Sequence, residues 1–172
     1  MNYKTKEKTV SQHNNPTTDA VEREYVMERV FNAPRELVFA AFSECKHLTH
    51  WWGPTGWTLP VCEMDFRPGG VWFYCMRGPG GEDACGKAIY REIVKPERIV
   101  YTDAFADTSG NVFTEMPQMV ITLTFTEHNG KTTLTNHVEF ASVADKEATL
   151  GMGMVEGLTQ TLDRLEAYLA QM

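Results

Sequence analysis

The sequence contains no apolar run approaching the ~20 residues that a transmembrane helix requires, and its N-terminus carries no apolar segment of the secretory type. Membrane spanning and export are therefore not expected, and the expected compartment is the cytoplasm. Basic residues are also in short supply. Against 23 Asp and Glu stand 16 Lys and Arg, a formal net charge of -7, with no basic run that could neutralise phosphates. Nucleic acid is excluded as an expected partner on that ground. Cysteine is sparse: Cys45, Cys62, Cys75 and Cys85 form neither a C-x2-C metal pair nor a redox C-x-x-C motif, and they read as reduced core thiols. No glycine-rich loop leads from a strand into a helix, because Gly78-Pro79-Gly80-Gly81 joins two strands. ATP hydrolysis by this chain is therefore not expected. His47 and His50 are three apart on a short helix with Cys45 nearby, but they lack a clear third ligand, so neither a metal nor another cofactor is expected.

What is present is one ordinary domain. A length of 172 residues leaves room for little more. Residues 1–22 are poor in apolar side chains and are expected to be a flexible N-terminal tail, leaving 23–172 as the folded domain. Tyr25 to Phe31 is β-branched and aromatic, as a strand should be, and Asn32-Ala33-Pro34 then signals a helix start with Asn32 as cap. Leu37, Val38, Ala41 and Phe42 recur at helical spacing, and His47 to Trp52 reads as a second short helix ended by Gly53-Pro54.

From Trp57 to Phe140 the pattern becomes serial strands near 57–65, 70–77, 84–94, 98–106, 117–127 and 131–140, separated by turn signals. Among these, His128-Asn129-Gly130-Lys131 is a type I′ hairpin sequence. Val155, Leu158, Leu162, Leu165 and Leu169 then mark an apolar stripe on one long helix from about 144 to 170, with Asp145 at its cap or in its first turn. The fold class that follows is α+β, with a curved antiparallel sheet of six to seven strands, two short helices after the first strand and a long C-terminal helix. A helix laid across a curved sheet tends to leave a space beneath it, the first candidate for a site.

Five motifs in this order carry a resemblance. They are Phe31-Asn32-Ala33-Pro34-Arg35-Glu36-Leu37-Val38-Phe39-Ala40-Ala41-Phe42, His50-Trp51-Trp52-Gly53-Pro54, Asp65-Phe66-Arg67-Pro68-Gly69-Gly70, Met76-Arg77-Gly78-Pro79, and Tyr90 to Tyr101. The chain resembles, over roughly 24–170, the family named for the activator of the heat-shock protein 90 ATPase, within the START-like (SRPBCC) superfamily of helix-grip folds. The resemblance implies a sheet wrapped around the C-terminal helix, an apolar cavity between them and an association with stress response. It does not define a function, since the superfamily hosts ligand carriers, cyclases and co-chaperone domains.

Trp72, Tyr74 and Met76 alternate along one strand and share a face. By similarity to the family they face the cavity; Trp57, Leu59, Tyr90, Tyr101, Phe105 and Met119 from neighbouring strands, and Met154 (or Met152) and Leu158 from the helix, are further candidates. Aromatic and methionine side chains together suit a flat apolar guest, although ordinary core packing accounts for each of them singly. Gly151, Gly153 and Gly157 at the start of the helix either open the cavity mouth or allow close packing. One of Trp51 and Trp52 is expected to anchor packing and the other to be partly exposed near the entrance.

The leading expectation is non-catalytic binding of a small hydrophobic or aromatic molecule, neutral or cationic rather than polyanionic. Second stands a cyclase- or hydrolase-type enzyme using His137, Glu63, Asp65 or Glu139 as acid or base, with Arg77 as an anion partner. It requires polar side chains that converge inside the cavity. Third stands an interaction module for a chaperone ATPase, and a homodimer is left open.

Overall fold

The computed structural model describes residues 16–172. The first fifteen residues of the expected tail lie outside the described residues. Within the remainder of that segment, Pro16–Glu22 forms a short helix, α1. Strand β1 (Glu24–Phe31) leads into α2 (Arg35–Ser43) and α3 (Cys45–Trp51). Six strands follow: β2 (Thr58–Met64), β3 (Val71–Arg77), β4 (Asp83–Val94), β5 (Arg98–Ala106), β6 (Gln118–His128) and β7 (Lys131–Phe140). The chain ends in α4 (Val143–Gly151) and α5 (Met154–Leu169).

All seven strands form one antiparallel sheet in the order β1-β7-β6-β5-β4-β3-β2. Five of the six ladders are meander neighbours, and only β1 returns from the start of the chain to pair with β7. The β6–β7 hairpin closes on His128 opposite Lys131, and Asn129 and Gly130 both adopt positive φ (50° and 73°), as a type I′ turn demands. Alternation along β7 buries Thr132, Leu134, Asn136, Val138 and Phe140 and turns His137 and Glu139 to the other face.

Two local expectations are corrected, and the choice left open for Asp145 is decided. Pro34, not Asn32, stands at the N-cap of α2, without a side-chain cap bond. The single long C-terminal helix is interrupted at Gly151-Met152-Gly153, where Gly153 takes a φ of 87° that a helix does not accommodate. Ser142, not Asp145, caps α4: its hydroxyl accepts the N–H of Asp145, which lies in the first turn. Val155, in the first turn of α5, is 40% exposed and is not part of the buried stripe.

The cysteines are not free thiols. Cys45 of α3 is bonded to Cys62 of β2, and Cys75 of β3 to Cys85 directly opposite on β4. The reading of reduced core thiols therefore fails. The first bridge ties α3 to the inner face of an edge strand. The second lies on the outer face, where Phe73, Val61 and Ala106 form a small separate apolar cluster with it. No helix among the described residues is long and apolar enough to cross a membrane.

Helix α5 lies over the concave face and is held near its C-terminal end. Leu162, Leu165 and Leu169 are buried in the main core. On one flank Arg29 of β1 pairs with Asp163 and Glu166, both at 2.6 Å. On the other, Arg164 Nη1 donates to the carbonyls of Gly53, Pro54 and Trp57 at 2.8–3.1 Å. Tyr168 bonds His47 at 2.7 Å and stacks on His50. The two histidines thus secure a helix. Most of these attachments fall between residues 163 and 168 of α5; nearer its start, Gln160 Oε1 accepts the N–H of Thr55 at 3.1 Å.

The disulfides are directly testable. Denaturing the protein without reductant in the presence of iodoacetamide should leave its mass unchanged, whereas alkylated thiols would show the cysteines to be free. Replacing Cys45 and Cys62 together by Ala should lower the unfolding free energy by about 2–4 kcal/mol, measured in urea, because the bridge closes a loop in the unfolded chain.

Candidate functional site

Beneath the first turns of α5 the sheet and helix separate around a cavity of about 240 Å³. The sheet contributes Tyr74 and Met76 from β3, Tyr101 and Asp103 from β5, Met119 and Ile121 from β6, and Asn136 and Val138 from β7. The helix contributes Met154, Gly157, Leu158 and Thr161. Trp52, Gly53 and Pro54 form the remaining wall. That segment is placed by Arg164, so the arginine holds the helix and one cavity wall at a fixed separation. A Cβ on Gly157 would meet only Pro54, at an ordinary 3.7 Å; the helix is not pressed onto a strand there.

Of the residues expected to face the cavity, Tyr74, Met76, Tyr101, Met119, Met154 and Leu158 are brought together in its walls. Trp72, Tyr90, Phe105 and Trp57 are not. Trp72 is buried behind Tyr74, 4.5 Å between rings, and packs edge-on against Trp52. Tyr90 is buried between Phe66 and Tyr101. Phe105 is only partly buried at the core's margin, and Trp57 presents its backbone carbonyl to Arg164. Leu59, weighed with them, is buried core. Of the tandem tryptophans, Trp51 is fully buried with its indole N–H on the Ala41 carbonyl, and Trp52 is half-buried at the cavity.

The polar groups nominated for acid–base work do not reach the cavity. His137 faces outward, 3.3 Å from Glu24. Glu63, Asp65 and Glu139 are exposed, and Arg77 pairs with Asp83 on the surface. The cavity instead holds Asp103 and Asn136, each 8% exposed. Neither was singled out, although one signal was available: in the alternating row Ile99, Tyr101, Asp103, Phe105 of β5, a single charged residue occupies an inward position.

The placement of Asp103 depends on small residues in β4. Across the ladders, Tyr74 faces Gly86 and Gly86 faces Phe105, while Trp72 faces Ala88 and Ala88 faces Asp103. The bulky side chains of β3 therefore lean over a stretch of β4 that offers no bulk at positions 86 and 88. A Cβ on Gly86 would stand 2.3 Å from the Tyr74 hydroxyl. Through that gap the Tyr74 hydroxyl donates to Asp103 Oδ2 at 3.1 Å. The other oxygen, Oδ1, is buried without a partner, as is Asn136 Oδ1 on β7.

Burial is the main reason the Asp103 carboxyl is raised from 3.8 to about 7, against the opposing pull of Tyr74 and the Ala104 N–H. Burial, aided by the nearby carboxylate, likewise pushes the Tyr74, Tyr90 and Tyr101 phenols upward, so they remain neutral donors. Among the described residues no group of three or more His, Cys, Asp or Glu side chains is arranged to hold a metal ion.

A curved seven-stranded sheet gripping a C-terminal helix over a cavity defines the helix-grip class. The sequence matches the family described as "Activator of Hsp90 ATPase homolog 1-like protein" over residues 32–170, and the chain belongs to that family. No curated protein matches it. Among solved structures it is similar to protein Ms6760 from Mycobacterium smegmatis, at 30% identity over 87% of this chain and 91% of that one, with a TM-score of 0.80. It is also similar to a protein from Staphylococcus epidermidis (32% identity, 87% and 90% covered, TM-score 0.75). A protein from Arthrobacter aurescens gives 28% identity, 90% coverage of both chains and a TM-score of 0.80.

The raised carboxyl has a consequence for stability. The folded protein holds the Asp103 proton up to about pH 7, whereas the unfolded chain releases it near 3.8. The group's contribution to stability is therefore complete below about pH 4 and is lost as the pH rises through about 7. Asp103→Asn, which stays neutral, is expected to be more stable than the parent by a few kcal/mol at about pH 8, and the difference should vanish near pH 4. Urea unfolding at both pH values checks this; an equal difference at the two would contradict it.

Proposed function

We propose that the protein binds a small, largely hydrophobic molecule in the cavity between the sheet and α5. The observation that carries the reading is a cavity of about 240 Å³ between sheet and helix, walled mainly by aromatic, methionine and aliphatic side chains. Close packing is the rule in protein interiors, and an apolar void of this size forgoes contacts that a filled core would make. An apolar cavity of ~150 Å³ accommodates benzene, so this one suits a guest of one or two fused rings rather than a long lipid chain. Met76, Met119 and Met154 supply walls that reshape around different ring systems.

A second reading is acid–base catalysis of the cyclase type. It draws on Asp103, whose carboxyl titrates near neutrality and whose Tyr74 partner stands in the same cavity. It does not draw on His137 or Glu63, which face away. Binding is the more economical reading, because Asp103 has one hydrogen-bonding side-chain partner and no further group that would orient a reacting atom.

Ethylnaphthalene provides a direct test. Saturable one-to-one binding, followed by the fluorescence of Trp52 or by calorimetry, is expected for the parent. Leu158→Trp, which fills the cavity from the helix side, should abolish it while leaving the circular dichroism spectrum unchanged. Equal binding by the two proteins would place the guest elsewhere and overturn the reading.

A further inference from the structure

We infer that the guest carries a cationic nitrogen, an aromatic or alicyclic amine rather than an acid, with its N–H directed at Asp103 Oδ1. This rests on the cavity-binding reading above and adds the chemical class of the guest. Asp103 is buried, it lines the cavity, and only one of its oxygens has a side-chain donor. A buried acceptor left without a donor is costly, and native interiors leave few of them. A ligand N–H would satisfy it.

The surrounding groups argue for a charged donor. The titratable side chains facing the carboxyl are the phenols of Tyr74 on β3, Tyr90 on β4 and Tyr101 on its own strand. From the facing elements, β6 presents Met119 and Ile121, and α5 presents Met154, Leu158 and Thr161. No Lys, Arg or His is among the cavity walls, so the carboxylate has no cation of its own. The aromatic rings of Tyr74, Tyr101 and Trp52 around it favour a cation further through their negative faces. An anionic guest would meet a buried carboxyl and no counter-charge. Asn136 Oδ1, also unpartnered, adds a second acceptor on β7 and no cationic donor.

The test compares four naphthalene derivatives of nearly one shape by calorimetry at about pH 8: naphthylmethylamine, naphthylmethanol, naphthoate and ethylnaphthalene. The amine should bind about tenfold or more tighter than ethylnaphthalene, as expected for a charge-assisted hydrogen bond, and naphthoate should bind most weakly. In Asp103→Asn the ratio of the amine's affinity to that of ethylnaphthalene should fall to about unity. A second measurement needs no variant. At about pH 6 the carboxyl is mostly protonated, so amine binding to the parent should release a proton, seen as a heat that depends on the buffer's ionisation enthalpy.

Naphthoate binding as tightly as the amine, an amine preference that survives Asp103→Asn, or absence of proton release would each overturn the inference and leave the cavity reading intact. Failure of all four compounds, ethylnaphthalene included, would overturn the cavity reading and the inference with it.

Discussion

A carboxyl group enclosed by aromatic rings is costly to ionise, and β3, β4 and β5 are arranged so that one is held in that position. Gly86 and Ala88 leave the middle of β4 bare on its inner face, the side chains of Trp72 and Tyr74 lean across it, and the Tyr74 hydroxyl reaches Asp103. Filling the gap at Gly86 would drive the phenol away, since an added Cβ would lie 2.3 Å from its oxygen. A row of ordinary apolar residues could pack the same sheet with no carboxyl and no void. The buried carboxyl therefore costs stability, and local rules of packing are broken most often where side chains serve a site as well as a core.

The cavity owes its position to an uneven attachment of α5. Arg29 holds the helix to the β1 edge, Arg164 holds it to the Gly53–Trp57 turn, and Tyr168 is clasped by His47 and His50. The leucine stripe is buried along the same half. Toward the N-terminal end the helix begins after the Gly151–Gly153 break and passes over the sheet with Met154, Gly157 and Leu158 at the opening. Sequence thus sets geometry in two ways: charged and aromatic residues fasten one end of the helix, and glycines free the other.

The sheet was legible because its turns are strongly marked. Gly-Pro, Asn-Gly and Lys-Pro punctuation placed the strand boundaries within about two residues, in line with the ordinary scatter of such assignments. The apolar periodicity of α5 placed the helix, but it ran past the Gly151–Gly153 break because period-matching weighs side chains and overlooks backbone freedom. The cysteine pairs were not legible at all. Cys75 meets Cys85 only because of the β3–β4 register, and Cys45 meets Cys62 only because α3 packs on β2. Within the site, alternation identified Tyr74 and Met76 correctly as sharing a face, but it could not separate cavity wall from buried core, which is why Trp72 and Tyr90 stand behind the wall. Asp103, a lone carboxyl in an apolar strand row, is a stronger signal than the histidines and surface acids, whose residue types suit catalysis but whose positions face solvent.

The measurement that bears most directly on this account is the titration of the Asp103 side-chain carboxyl in the free protein, followed by its carbon chemical shift. A midpoint near 7 is the predicted result, because burial outweighs the stabilisation of the charged form by the Tyr74 hydroxyl and the Ala104 N–H. A midpoint in the ordinary carboxylate range, about 4, would mean that water or another donor reaches Oδ1, and it would contradict the claim that this buried acceptor awaits a ligand.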